Sequence, residues 1–270
     1  MKIIEHFSQA KTPHSDGEDG WVMTEHYAAV IDGSTSKAGQ NFPDHLTLGR
    51  KAMLTVREAI RSLHPEAELN EVLEHLTQAL HNITAHASTM PPEWRPTCSA
   101  AIYSAHRSTI WLIGDCQCIA NNHLHQNSKL VDSILSQVRA DVLHHLLAHG
   151  HTETELRQND LGRQFIMDAL RDQTAFANDC TSCNPYAYPV LNGMPIRPAE
   201  VVSIEVESAE IVLATDGYPD LRPTLAASES ALQTLLTEDP LCIRRNASTK
   251  GLTAGNVSFD DRTYLRLHLC

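Results

Sequence analysis

The chain has 270 residues, 42% of them apolar and 20% charged, and its 21 basic against 33 acidic side chains give a formal net charge of −12. That size supports one large domain or two small ones, with the balance of an ordinary soluble globular protein. The acidic excess argues against non-specific binding to nucleic acid or an anionic membrane, both of which need basic patches; no apolar run reaches the roughly 18–20 residues of a membrane span, and Met1 to Lys11 lacks the apolar core of a signal peptide, so a cytoplasmic location is expected.

The first apolar run, His26 to Ile31, reads as a buried strand that stops at Asp32-Gly33. Asp44 is the expected N-cap of the next segment, where Leu46, Met53, Val56, Ile60 and Leu63 recur at helical spacing. After His64-Pro65, Leu69, Val72, Leu73, Leu76, Leu80 and Ile83 repeat the pattern, predicting a helical hairpin with one apolar face, closed by Met90-Pro91-Pro92. Strands are expected over 98–104 and 109–113, joined by a turn at 105–108. Gly114-Asp115 then turns the chain into a strand over 116–120. Cys116 and Cys118 alternate along that strand and so share one face as packing residues.

A helix carrying Leu130, Ile134, Val138, Val142 and Leu146 follows, and Thr152-Glu153-Thr154-Glu155 is a capping box opening another through about Arg171. Residues 172–200, rich in Asn, Asp, Pro and Cys, read as loop. Strands over 201–206 and 211–215 meet near Ser208-Ala209, a helix spans 225–237, and a last alternating strand runs from Arg262 to Leu269. Hairpins dominate and no steady βαβ alternation occurs, which favours antiparallel sheets with helices layered outside them, in a single domain.

Four acidic motifs are distributed along this order: Glu18-Asp19, Asp32-Gly33, Asp216-Gly217 and Asp260-Asp261. One Asp-Gly is a common turn. Two copies after apolar strands, in VIDG and ATDG, with a further acidic pair before the first strand and another before the last, suggest carboxylates converging from distant parts of the chain. Glycine lets the backbone turn closely, so that its carbonyl can face the same point as the carboxylate. Such an oxygen-rich pocket suits hard divalent cations such as Mg²⁺ or Mn²⁺, and two of them side by side are a device for hydrolysing phosphate esters.

The order GEDGW, AAVIDGS, SAAIY, WLIGDCQC, IVLATDGYPDL, SFDDRTYLRL resembles the metal-dependent serine/threonine protein phosphatases of the protein phosphatase 2C type, in their bacterial form, over residues 14–269. The resemblance implies an α+β fold: a four-layer αββα sandwich, two central antiparallel sheets flanked by helices. It also implies a pair of Mg²⁺ or Mn²⁺ ions at one end of the sandwich. Asp32 would bridge both ions and the Gly33 carbonyl would bind one. Glu18 would hold one directly or through water, and Asp216 and Asp260 would complete the shell. Asp19 would be an orienting carboxylate, and Asp115, in the Gly-Asp-Cys-Gln turn, a ligand for a third, weaker ion.

The implied chemistry is in-line attack on phosphoserine or phosphothreonine by a hydroxide activated between the two cations, with no covalent intermediate. The implied partner is a phosphorylated protein, and the implied setting is signalling opposed to a serine/threonine kinase. Where the family often carries a phosphate-gripping arginine this chain has His14, which lacks the bidentate fork. Lys37 lies close enough to Asp32-Gly33 to reach a phosphate, or is a solvated lysine. Residues 123–200 match poorly and are expected to form this protein's own insertion or flap.

Two other readings stay open: a catalytically silent phosphatase-like domain that binds a partner, and a phosphatase of a small phosphorylated metabolite. The remaining features are weaker. The seven cysteines imply no disulfide framework, and the lone Cys180-x-x-Cys183 lacks the further ligands a structural zinc site needs. His145 and His149 have metal-ligand spacing but no HExxH, and read as a solvated helix end. GLTAGN at 251–256 is too short for a P-loop, and no G-x-S-x-G is present.

Overall fold

A computed structural model of the chain describes residues 1–37, 44–84, 90–181 and 184–269. Within them the strands are β1 (Lys2–Gln9), β2 (Gly20–Met23), β3 (Tyr27–Gly33), β4 (Cys98–Ser104), β5 (Thr109–Ile113), β6 (Gln117–Ala120), β7 (His123–Gln126), β8 (Val202–Glu205), β9 (Glu210–Ala214) and β10 (Arg262–His268). They form two five-stranded antiparallel sheets, ordered β1-β10-β9-β6-β7 and β2-β3-β4-β5-β8.

Alternation along β3 shows how the layers arise. Ala28 and Val30 enter the core between the sheets, with Ala101, Leu112, Cys116, Cys118, Leu213 and Leu265. Ala29 and Ile31 face the other way, onto Val56, Ile60, Leu76 and Leu80 of the helices α1 (Leu48–Arg61) and α2 (Leu69–Ile83). On the outer face of the other sheet, Val212, Ala214 and Tyr264 pack against Leu232 and Leu236 of α7 (Leu225–Glu238). Helix pair, sheet, sheet and helix make the four layers, and central strands such as β3 and β4 bury both faces by their period of two.

The helices α3 (Leu130–Ala148), α4 (Glu153–Gln158), α5 (Leu161–Phe165) and α6 (Met167–Asp172) have two small apolar clusters of their own. Arg139 of α3 is fully buried. It pairs with Asp160 at 2.7 Å and donates to the carbonyls of Leu241 (2.9 Å), Cys242 (3.3 Å) and Ser248 (2.8 Å). Arg157 and Arg163 add bonds to the carbonyls of Leu252 (3.2 Å) and Thr249 (2.6 Å). Three arginines from this region therefore hold the loop before β10 by its backbone.

Several expectations are corrected. The N-cap of α1 is Thr47, whose hydroxyl accepts from Arg50 N–H, while Asp44 accepts from Leu46 N–H outside the helix and pairs with Lys51. The capping box at Thr152 is present, but the helix it opens ends at Gln158, and Asp160 caps a new one. Leu130, Ile134 and Val138 lie exposed on α3, whose buried face is Val131, Leu135, Ala140 and Leu143. A spacing of four drifts around a helix with 3.6 residues per turn, and the neighbouring apolar stripe, which holds Arg139 inward, wins. The strands over 202–205 and 210–214 meet near Ser208-Ala209 but belong to different sheets. β1, β2 and β7 are additional strands; β1 alternates half-buried with exposed positions and β7 is mostly exposed, so neither has the apolar density of a buried strand.

Candidate active site

One end of the sandwich opens into a cavity of about 400 Å³. Asp32, Gly33, Asp115, Asp216 and Asp260 line it from the sheet side; Lys129, Ser136, Arg163, Leu170 and Tyr188 line it from the α3–α6 side. Asp32 is the penultimate residue of β3, paired in register with Ser99 of β4. The Ser99 hydroxyl donates to Asp115 at 2.5 Å, so the turn between β5 and β6 is tied to the same strand pair. Gln117 donates from its amide to the carbonyls of Thr215 (3.1 Å) and Tyr218 (2.7 Å), which fixes the turn bearing Asp216. Gly33 packs against the backbone of Glu18 and of Gly49 in α1, where an added Cβ would come within 2.5 Å of either carbonyl oxygen.

Crowding sets the charge states. Burial first, then Asp19 and Asp115, push the Asp32 carboxyl well above the usual carboxylate range. Asp216 is raised by burial and by Asp32 and Asp260, and Asp19 by burial and by Asp260. Asp19 Oδ2 and Asp216 Oδ1 are buried without a hydrogen-bond partner. Burial also works against ionisation of Asp115, but the Lys129 ammonium at 2.6 Å and the Ser99 hydroxyl more than offset it and hold that carboxyl down at about 2. Asp260 behaves likewise: burial would raise it, and Lys250 and Lys11 bring it below its ordinary value. Lys250 Nζ is paired with Asp260 Oδ2, and Lys11 Nζ lies 3.3 Å from Oδ1.

The other sequence candidates are placed as follows. Asp19 is buried next to the Thr215 hydroxyl and acts on Asp32 from beneath the cavity lining. The Glu18 carboxylate accepts from the hydroxyls of Thr35 (2.5 Å) and Thr47 (2.6 Å) and is not among the cavity's lining residues. His14 is exposed, in a left-handed backbone conformation (φ 61°), and is also absent from the lining. Cys116 and Cys118 are buried between the sheets. The His145 and His149 rings lie 4.1 Å apart, tilted by 32°, on an exposed helix end. Cys183 lies outside the described residues.

Asp261, next to Asp260, has a separate role. Its two oxygens accept from the backbone N–H groups of Lys11 and Glu18, both at 2.7 Å, locking the end of the β1 loop to the start of β2. Lys250, Lys129, Gln117 and Arg163 were not singled out by sequence. Lys129, Lys250 and Arg163 sit in polar loops or on a helix and Gln117 opens β6, with no local pattern that distinguishes any of them from a solvated side chain.

The donor set fits hard divalent cations: every group is an oxygen, two buried oxygens lack partners, and three carboxyls are destabilised in the charged form by one another. Among the described residues, no three His, Cys, Asp or Glu side chains are grouped to hold one ion as they stand. The ammonium groups of Lys11, Lys129 and Lys250 occupy carboxylate oxygens at the cavity instead.

No family model matches the sequence, and no curated protein matches it. Solved structures do. The serine/threonine phosphatase Stp1 of Staphylococcus aureus aligns over 100% of this chain and 96% of its own, with a TM-score of 0.52 and 12% identity. The serine/threonine phosphatase PstP/Ppp of Mycobacterium tuberculosis aligns over 98% and 97%, at 0.47 and 15%. The catalytic domain of PstP in complex with two manganese ions aligns over 97% and 96%, at 0.44 and 16%. The whole-length likeness to Stp1 shows a protein phosphatase 2C-like fold, the fold implied by the sequence resemblance.

Proposed function

We propose that this chain is a metal-dependent phosphoprotein phosphatase acting on phosphoserine or phosphothreonine, with Mg²⁺ or Mn²⁺ as its cofactor. The observation that carries the reading is the meeting of Asp32, Asp216 and Asp260 at one cavity with Asp19 buried beneath its lining, four separate segments in all, with mutual repulsion unrelieved at three of the four. A protein gains nothing in stability by crowding carboxylates. A site for cations explains the cost. The fold shared with a serine/threonine phosphatase supports the same reading.

In this proposal Asp32, the Gly33 carbonyl, Asp216 and Asp260 hold two ions, Glu18 and Asp19 orient that shell, and Asp115 serves a third, weaker position. Bound divalent ions supply positive charge against the phosphoryl oxygens and acidify a water placed for attack on phosphorus. The chain's own residues do the positioning. Ser99 and Lys129 keep Asp115 ionised and fixed, Gln117 fixes the Asp216 turn, and Lys250 holds Asp260 charged until an ion takes its oxygen. The α3–α6 region walls one side of the cavity. A cytoplasmic phosphoprotein partner, phosphorylated by a serine/threonine kinase, completes the proposal. No described helix is long and apolar enough to cross a membrane.

Phosphate release from a phosphothreonine peptide, abolished by EDTA, restored by Mn²⁺ or Mg²⁺, and lost in Asp216→Asn, is the expected result. One specific observation favours a second reading, a catalytically silent phosphatase-like binding domain: Lys250 and Lys11 already neutralise Asp260. Folded protein with no turnover under either metal would select it. Turnover of a small phosphorylated metabolite but not of the peptide would instead indicate a metabolite phosphatase.

A further inference from the structure

Not every basic group of the cavity is paired with one of its carboxylates. Lys129 and Lys250 are spoken for by Asp115 and Asp260. Lys37 and Arg163 are not: among the described residues neither has a carboxylate within ion-pair distance, yet both line the cavity. Burial first, and then Lys129, lowers the Lys37 ammonium to about 8, with Lys250 and Arg163 close enough to push in the same direction. Asp132, which pulls the other way, is engaged by Gln173 at 3.1 Å and by Lys129 at 3.9 Å. Burial likewise lowers Arg163, against the attraction of Asp160, Asp260 and Asp132, none of which reaches ion-pair distance.

Both cations are held in place. The Lys37 carbonyl accepts from Arg171 of α6 at 3.3 Å, and its ammonium donates to the Ser34 hydroxyl at 3.3 Å. Ser34 N–H donates to the Thr97 carbonyl, and Thr35 is fixed to Glu18 and Lys11. Arg163 lies in the first turn of α5, its backbone N–H donating to the Asp160 cap (2.8 Å), and its guanidinium donates to the Thr249 carbonyl at 2.6 Å. Two basic groups that line one cavity, partly withdrawn from water and without a carboxylate at ion-pair distance among the described residues, can take a mobile anion.

We propose that Lys37 and Arg163 form the phosphoryl-binding site of this cavity, taking the dianionic head of a phosphomonoester, with orthophosphate as the product that shares its chemistry. A guanidinium fork and an ammonium match the several oxygens of a phosphoryl group better than the two of a carboxylate. The site rests on the phosphatase reading for its role in turnover, but its existence as an anion site does not. It also assigns the anion contact to the loop after β3 and to α5, away from exposed His14 and from Lys11, which is engaged by Asp260 and Thr35.

The test is calorimetric titration of orthophosphate into the full chain, in EDTA and again in Mg²⁺, alongside steady-state hydrolysis of a phosphothreonine peptide and of free phosphoserine. Lys37→Gln should weaken orthophosphate at least about tenfold and raise KM for the peptide more than it lowers kcat; Lys37→Arg should stay within about threefold of the parent chain. Arg163→Lys, which keeps the charge but loses the fork, should fall between them. If the parent chain does not bind orthophosphate, or Lys37→Gln binds it as the parent does, the anion site is refuted, even where the peptide is hydrolysed normally. If Lys37→Gln loses orthophosphate but the parent hydrolyses nothing under any metal, the anion site stands and the phosphatase reading falls. Raised KM for peptide and phosphoserine alike supports the phosphoryl site; an unchanged KM for both overturns it.

Discussion

Lys250→Met is the perturbation that most directly probes what the carboxylate cluster is for. Lys250 Nζ pairs with Asp260, at 27% and 10% side-chain exposure, and also acts favourably on Asp32 and Asp216. Removing one partner of a fully buried pair costs about 3–5 kcal/mol. Partial exposure of the lysine screens this, so we expect about 2–3 kcal/mol in the metal-free protein. Methionine keeps most of the aliphatic volume, and the loop stays anchored through the carbonyls of Leu241, Ser248 and Thr249, so the loss is electrostatic. For a chain of this length that corresponds to a fall in Tm of about 4–12 °C in EDTA.

The same change should help a divalent ion. In the parent chain an ion must displace the lysine from Asp260 Oδ2; in the variant that oxygen is free and its repulsion with Asp216 is uncompensated. Mn²⁺ should therefore bind at least about tenfold more tightly, a gain of about 1.4 kcal/mol, and saturating Mn²⁺ should recover most of the lost Tm. Differential scanning calorimetry with EDTA and with graded Mn²⁺, together with direct titration of the metal, reads both effects. A variant with the parent's Tm in EDTA and the parent's Mn²⁺ affinity would refute the argument that Lys250 stands in for a cation.

Other substitutions separate charge crowding from structure. Asp216→Asn should cut phosphate release at least about 10²-fold, the scale of losing one electrostatic stabiliser of a transition state, while raising the Tm measured in EDTA because it relieves repulsion with Asp32 and Asp260; a lower Tm in EDTA would contradict the crowding account. Asp19, Asp32 and Asp216 have folded-state values above their unfolded ones, so the native state binds more protons between the two, and metal-free stability should rise as pH falls from neutrality toward the unfolded carboxylate range near ~4. Asp115 and Asp260 are depressed, so their contribution is lost only below that range; urea midpoints across pH in EDTA check the sign, and saturating Mn²⁺ should abolish the gain. Asp261→Asn can accept only one of the two backbone N–H bonds and should destabilise the fold by about 1–3 kcal/mol with metal affinity little changed; a loss of Mn²⁺ binding equal to that of Asp216→Asn would give it a direct role instead.

Much of this was legible in the chain. The two Asp-Gly turns after apolar runs, and the acidic pairs before the flanking strands, located the carboxylates because a rigid strand end is a strong local signal. The layers followed from period-two and period-3.6 patterns in β3, β4, α1 and α2, whose apolar positions are dense. Where the signal lay in partners and not in pattern, the reading stopped short. Asp260 and Asp261 are chemically identical in sequence, yet one faces the cavity and the other accepts two backbone N–H groups. On α3 two apolar stripes compete, and the outcome is set by Arg139 and its four oxygen partners, contributed by residues far away in sequence.

The region that the sequence left as an unassigned flap has a defined physical task. Its buried Arg139, with Arg157 and Arg163, grips the loop that carries Lys250 to Asp260, and its Lys129 sets the charge of Asp115. Its Arg171 holds the carbonyl of Lys37. The carboxylates come from the sandwich, whereas the ammonium groups of Lys129 and Lys250 that offset their charge are positioned by α3–α6 or by the loop they hold. On the proposed reading, variation in this region should change ion affinity and anion recognition without touching the strands that aim the carboxylates.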